Sequence, residues 1–371
     1  MIYFICFLIS GIFFWRSECR YNKKQYKISG FLAVGGILIL SLLAGFRANS
    51  IGTDVMTYVV YAFNRIKDYS NITQVFQKHN LEIGYELLIF ICTRISKDIH
   101  FLHFITSLII NGCFYSFLKQ FSKDGKINIF IGMMVFMCMY FNTSLNIVRQ
   151  FLAISIILFG VKYLFKEKYI KFLLTVLVAI QFHKSAIIGF GIFVLYKILN
   201  TKKQKKSKII LSVAVVCIGL YFLERVMSSL YNLGYVSSQY MGYLSGAGNS
   251  SVFMQLLSRA PILILALFLY ERLVKRDIKN QLLFSFFIID CILGCTAPIL
   301  GDASRISLYF GVWQCALISE LVLVMQELVE KKGKPLITLF MNGYLFIFWF
   351  YSFVFRNMAN TYPYISDLFN R

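Results

Sequence analysis

Ser29-Gly30-Phe31-Leu32-Ala33-Val34-Gly35-Gly36-Ile37-Leu38-Ile39-Leu40-Ser41-Leu42-Leu43-Ala44-Gly45 runs without a charged side chain and meets Phe46-Arg47 at its end. An apolar run of this kind approaches the ~20 helical residues that cross the hydrocarbon core of a bilayer. Eleven further runs of similar character lie near 2–15, 99–118, 127–142, 146–165, 169–182, 184–198, 208–224, 253–270, 280–298, 305–325 and 336–355. Composition agrees with them. The 371 residues are 58% hydrophobic, 17% aromatic and 15% charged, with a mean hydropathy of +0.68, whereas a soluble domain carries roughly 25% charged residues. The fold expected is all-α: a polytopic integral membrane protein of about 12 transmembrane helices. Tyr85–Ile95 adds a shorter apolar piece that reads as a re-entrant or half-buried helix.

The net charge is +21, from 38 Lys+Arg against 17 Asp+Glu. On a soluble protein that balance suggests nucleic acid, but here the basic residues fall in short clusters between apolar runs. No zinc or RNA-binding pattern accompanies them. The clusters at 16–27, 119–126, 162–171, 197–208, 271–279 and 331–334 hold 25 of the 38 basic residues. Lys and Arg accumulate on the cytoplasmic side and beside anionic head groups, which places both termini outside, along with the loops 46–98 and 225–252. Most cysteines lie inside apolar runs, where a thiol packs as a small hydrophobe; Cys291 and Cys295 share a helix face, but nothing completes a metal set around them. Met1–Trp15 lacks a basic start and a small-residue cleavage site, so it reads as a retained first span. No internal repeat stands out, and residues 1–371 read as a single transmembrane domain with an outer-face site.

Five polar constellations interrupt the apolar pattern. After the first quoted run, Arg47 and Asp54 flank Gly52-Thr53, with Tyr58 one turn beyond Asp54. Thr53 or Asp54 caps a following helix in the plainer reading, and Arg47 and Asp54 face each other in the functional one. Glu82 and Glu86 share a helix face; each either pairs with Arg47 or Arg149 or serves proton transfer. Asn146, Arg149, Gln150 and Ala153 form a polar stripe around a guanidinium on an apolar helix, which is a functional hypothesis by default; snorkelling to the interface is the plainer alternative. His183, in Gln181-Phe182-His183-Lys184-Ser185, sits at a tight outer turn as a proton carrier, a donor to phosphate or sugar, or an interfacial histidine. Gly301-Asp302-Ala303-Ser304-Arg305 opens another span, with Tyr309 one turn on and Asp302 or Ser304 as its cap. Placed together on the outer face, Arg47, Arg149, His183 and Arg305 suit a dianionic or pyrophosphate group, which arginine forks bind bidentately.

In order and type these motifs resemble the EpsG family of Wzy-like bacterial polysaccharide polymerases. The matching pieces are Gly45-Phe46-Arg47 through Gly52-Thr53-Asp54 and Tyr58; Glu82-Ile83-Gly84-Tyr85-Glu86; Asn146-Ile147-Val148-Arg149-Gln150 with Ala153; Phe182-His183-Lys184-Ser185-Ala186; and Arg305 with Tyr309. The resemblance implies a multi-pass protein of the bacterial cytoplasmic membrane whose active site faces outward. It implies a glycosyltransferase-type reaction that joins undecaprenyl-diphosphate-linked oligosaccharide repeat units into O-antigen, capsule or exopolysaccharide. The partners implied are the lipid-linked donor and acceptor, membrane lipid and a chain-length regulator, with no nucleic acid and no cofactor; the few acidic residues of the outer loops show no metal-ligand spacing. That chemistry needs a base at the acceptor hydroxyl and cations at the departing diphosphate. Asp54 or Glu86 is the candidate base; Arg47, Arg149 and Arg305 are the diphosphate candidates, supported by His183; Tyr58, Tyr309, Asn146 and Gln150 are candidates for sugar stacking and support. A transporter or flippase of the same lipid-linked unit competes, although no matched pair of broken helices marks alternating access. A glycan ligase or lipid-dependent glycosyltransferase of the outer face is a third reading.

Overall fold

The computed structural model describes residues 1–121, 128–200, 206–232, 252–296 and 303–367, and its regular elements are all helical. In chain order they are Ile2–Asn22 (α1), Tyr26–Gly45 (α2), Tyr61–Ile66 (α3), Thr73–Lys78 (α4), Ile83–Ile95 (α5), Ile99–Leu118 (α6), Ile129–Asn146 (α7), Val148–Phe165 (α8), Tyr169–Ile180 (α9) and Ile188–Leu199 (α10). Then follow Lys206–Asn232 (α11), Val252–Phe268 (α12), Tyr270–Arg276 (α13), Asn280–Thr296 (α14), Ala303–Gly311 (α15), Gln314–Glu327 (α16) and Lys334–Trp349 (α17). Every apolar run coincides with a helix, but not every helix is a full crossing. Among the described residues six are long and apolar enough to span a membrane, and two bent pairs, α12 with α13 at 67° and α15 with α16 at 43°, raise the number to at most eight against the twelve or so expected. The 12 residues of α9 rise only about 18 Å, well short of a ~30 Å hydrocarbon core.

The chain divides into two compact units, 1–190 with 335–371, and 191–334. In the first, α1 and α2 form a hairpin pinned by polar contacts that no bilayer could satisfy. Ser10 Oγ donates to the Gly36 carbonyl at 2.8 Å, and Ser17 Oγ to the Ser29 carbonyl at 2.8 Å. The helix α6 packs on α2 and α8, and α7 is buried along most of its length. At Phe136–Phe141 α7 widens into a π-helical turn, a feature frequent at functional sites. It ends at Asn146, where Ile147 (φ −92°, ψ 59°) breaks the chain before α8.

The two ends of this unit differ in charge. One end gathers the α1–α2 turn, the foot of α6 and the α8–α9 turn: Glu18 accepts the Phe130 amide at 2.8 Å, and Lys119 lies 5.6 Å from the Tyr21 ring. There 16–27, 119–121 and 162–171 hold ten basic and two acidic side chains. The opposite end collects the close of α2, the start of α6, the α7–α8 break and the turn after α9. The segment 46–98 folds over this second end. Within it α5, as the half-buried helix expected, turns Tyr85, Ile89 and Cys92 inward at helical spacing. Of the second loop expected on the outer face, 225–252, Leu233–Ser251 lie outside the described residues, as does Asp302.

Candidate functional site

Arg47 follows α2 directly and is buried, 1% exposed. A guanidinium offers only donors, and two of its groups have found acceptors. Its Nη1 donates to the Leu145 carbonyl at the end of α7, and Nη2 meets His103 Nδ1 at 3.3 Å. Its Nε has no partner, and no carboxylate pairs with it among the described residues. Arg47 thus does not face Asp54 as expected. Burial pulls its guanidinium down to about 10, with the phenols of Tyr3, Tyr85 and Tyr364 working the other way, so it remains a cation at neutral pH.

The loop after Arg47 is fixed from two sides. Gly52 adopts φ +92°, open to glycine at little cost, and a Cβ there would lie 2.9 Å from Asn146 Cα. Asn146 Oδ1 accepts the Asp54 amide at 2.9 Å and Thr53 Oγ1 at 3.3 Å. Asp54 stands at the N-cap of a π-helical turn, Val55–Val60, without a capping bond from its side chain; the cap expected of Asp54 is supplied across the site by Asn146. From the other side comes the C-terminal segment. The Gly52 amide donates to the Asn360 carbonyl at 3.0 Å, the Ala48 amide to Ile365 at 2.8 Å, and the Asn49 amide to Asp367 Oδ2 at 3.3 Å.

Arg149 opens α8, where the positive end of the helix dipole disfavours a cation. Glu82 offsets this: its Oε2 accepts Arg149 Nη1 at 2.6 Å, and its Oε1 accepts the Lys184 amide at 3.2 Å. The guanidinium carbon sits 4.8 Å from the centre of the Tyr58 ring. Nε and Nη2 of Arg149 make no hydrogen bond among the described residues, and its side chain is 16% exposed. His183 closes the same cluster. Its Nδ1 accepts the Ser185 amide at 3.3 Å, so the neutral ring carries its proton on Nε2. Tyr85, fully buried and hydrogen-bonded from its amide to the Gln181 carbonyl at 3.1 Å, leaves its hydroxyl unpartnered. Burial pushes that phenol up, while Arg149 and Arg47 pull it down.

A family model, described as EpsG family, matches residues 31–366. The chain belongs to the EpsG family. That family is one of Wzy-like polysaccharide polymerases; no curated protein and no solved structure matches the chain. Four of the five EpsG-like motifs meet at one end of the first unit, joined by the Asn146, Glu82 and Gln181 contacts above. The fifth, Arg305 with Tyr309, belongs to α15 of the second unit, where Arg305 is half-buried and Tyr309 buried.

One of two expected pairings holds in this EpsG-family site. Glu82 takes Arg149, as the plainer reading of the pair had it, but Glu86 takes Arg65, which the sequence reading passed over. Glu86 is fully buried, and its Oε1 also accepts the Asn80 and Leu81 amides at 2.9 and 2.8 Å. It therefore fastens the loop before α5. Gln150 is buried inside the bundle. His103 and the strap Asn357–Asp367 went unread because their partners lie far away in the chain, and Arg65 because the fold of 46–98 brings it to Glu86.

Proposed function

We propose that this EpsG-family protein polymerises undecaprenyl-diphosphate-linked oligosaccharide repeat units at the outer face of the bacterial cytoplasmic membrane, for O-antigen, capsular or exopolysaccharide synthesis. One observation carries the reading. Arg149 is held by one edge on Glu82 and by its face on Tyr58, while Nε and Nη2 remain to donate. A rigid, half-open guanidinium at a helix N-terminus suits a phosphate oxygen pair. Arg47, cationic and without a carboxylate among the described residues, adds charge from behind the α7–α8 break. The orientation follows from the basic opposite end, which the positive-inside tendency assigns to the cytoplasm; on this view the shorter apolar helices complete about twelve crossings.

The reaction transfers the growing glycan. An acceptor hydroxyl oxygen attacks the anomeric carbon, its proton passes to Asp54, and the bond from that carbon to the lipid diphosphate breaks as the arginines take up the charge. Asp54 is preferred to Glu86, whose carboxylate is already engaged by Arg65 and two amides. His183 supports the diphosphate, Tyr58 offers a face to a sugar, and the scheme uses no cofactor. A chain-length regulator would act on this site from outside.

The test is the glycan length profile of a deletion strain complemented with wild type or Arg149→Ala at equal membrane levels. The full ladder returns with wild type, and Arg149→Ala leaves single units, a loss of about 100-fold or more in long chains. An unchanged ladder sinks the assignment; units trapped on the cytoplasmic leaflet would point to transport instead.

A further inference from the structure

His103 lies within α6, is 1% exposed, and belongs to none of the motifs read from the sequence. Its two ring nitrogens meet partners of opposite kind. Arg47 Nη2, 3.3 Å from Nδ1, can only donate, so Nδ1 must present its lone pair. The neutral ring then carries its proton on Nε2, which stands 3.0 Å from Asn49 Oδ1, an acceptor. Asn49 in turn donates its amide to Asp367 Oδ2 at 3.3 Å. A continuous run of hydrogen bonds thus leads from the C-terminal strap through Asn49, His103 and Arg47 to the Leu145 carbonyl, four residues before Arg149.

We propose that His103 is a positioning residue for this site: by accepting from Arg47 it holds the guanidinium against the Leu145 carbonyl, and so sets the α7–α8 break that aims Arg149. This rests on the polymerase reading for its consequence in catalysis, but not for its geometry. The reason is one of scarcity. Arg47 is buried with no carboxylate, so His103 Nδ1 and the Leu145 carbonyl are the two acceptors that keep it in place. The neighbouring His100 cannot substitute, since its Nδ1 is engaged with the Gly45 carbonyl at 2.8 Å. Loss of the imidazole acceptor leaves a buried cation seeking another oxygen, and the Leu145 carbonyl becomes free to move with it.

The experiment compares His103→Phe with His103→Asn in purified protein reconstituted in lipid, assayed with a lipid-diphosphate-linked oligosaccharide. Asparagine places Oδ1 about where Nδ1 stands and keeps an acceptor for Arg47; phenylalanine fills the space without one. The expected result is a fall in kcat/KM of about tenfold or more for His103→Phe, as befits one hydrogen bond to a charged group, with most activity retained in His103→Asn. In the same samples, backbone amide exchange over Leu145–Gln150 quickens in His103→Phe but not in His103→Asn. Equal loss in both variants, or unchanged exchange in His103→Phe, overturns the proposal. If His103→Phe does not accumulate, Asn49→Leu, which cuts the far end of the run, must show the same local quickening, and its absence likewise overturns it. Inactive wild type with the exchange difference present would count against the polymerase reading alone.

Discussion

Arg259 and Arg47 are both arginines enclosed by apolar helices, yet their surroundings are opposite in kind. In the second unit Arg259 Nε reaches Asp290 Oδ2 at 3.0 Å and Nη2 reaches Oδ1 at 3.3 Å, while Nη1 donates to Gln255 Oε1 at 2.6 Å. Asp290 also accepts Gln314 Nε2 at 3.1 Å and the Ser307 hydroxyl. Gly294 makes room: a Cβ there would lie 2.5 Å from the Arg259 guanidinium carbon. The cluster binds α12, α14, α15 and α16, bridging the bend between the last two, and its charges balance. Arg47, by contrast, has neutral acceptors only. A balanced set is explained by the fold it holds together, whereas an unbalanced cation in a low-dielectric setting asks for an anion the protein does not supply.

The largest effect expected of this contrast is on stability in the balanced cluster. Asp290→Ala strands the Arg259 charge and costs about 3–5 kcal/mol, the usual penalty for removing one partner of a buried pair. Thermal melting of the purified protein in detergent reads it, and the double change Arg259→Met with Asp290→Leu should recover most of the loss. A melting point unmoved by Asp290→Ala would dissolve the distinction between the two clusters.

Arg47→Met should behave the other way. No carboxylate is stranded, and methionine fills a similar volume while removing a desolvated charge, so stability stays within about 1 kcal/mol of wild type. Polymer length should nevertheless collapse, because both the uncompensated charge and the tether on Leu145 are gone. Melting and glycan profile measured on one preparation separate the outcomes: a protein that unfolds but, while folded, still polymerises would move Arg47 into the class of Arg259.

How much of this was readable beforehand follows from where each partner lies. The apolar runs located the long helices, since a run announces itself locally, but the short α3 and α4 lie within 46–98, which reads as a loop. The Arg149 stripe and the His183 turn were visible for the same reason: a charge or a histidine stands out against apolar neighbours. What could not be read was pairing. Glu86 met Arg65 rather than Arg47 or Arg149 because the fold of 46–98, not helical spacing, decides its neighbour. Asn146 looked like support for Arg149 on one helix face and instead caps Asp54 from across the site. His103, Arg259 and Asp290 each stand within an apolar run. For the last two, opposite charges in separate apolar runs were a usable signal. The described residues hold six to eight helices that pass as spans where the runs predict about twelve, because hydropathy marks a helix without requiring it to be long enough.

The mildest test concerns Tyr58, where the contrast predicts a small and specific effect. Its ring lies under the Arg149 guanidinium at 4.8 Å, half-buried, within the segment 46–98. A cation–π contact at such a site contributes about 0.5–2 kcal/mol, but Glu82 still holds Nη1 when the ring is removed. Tyr58→Phe keeps the face and should leave polymerisation close to wild type. Tyr58→Leu removes it, and the lipid-linked donor should bind about 2–30-fold more weakly, the range to which that energy converts, with kcat lowered less than the apparent affinity. Initial rates over a donor titration distinguish the two. If Tyr58→Phe falls as far as Tyr58→Leu, the hydroxyl rather than the ring is what matters there, and the face-on support of Arg149 is not what holds it ready for phosphate.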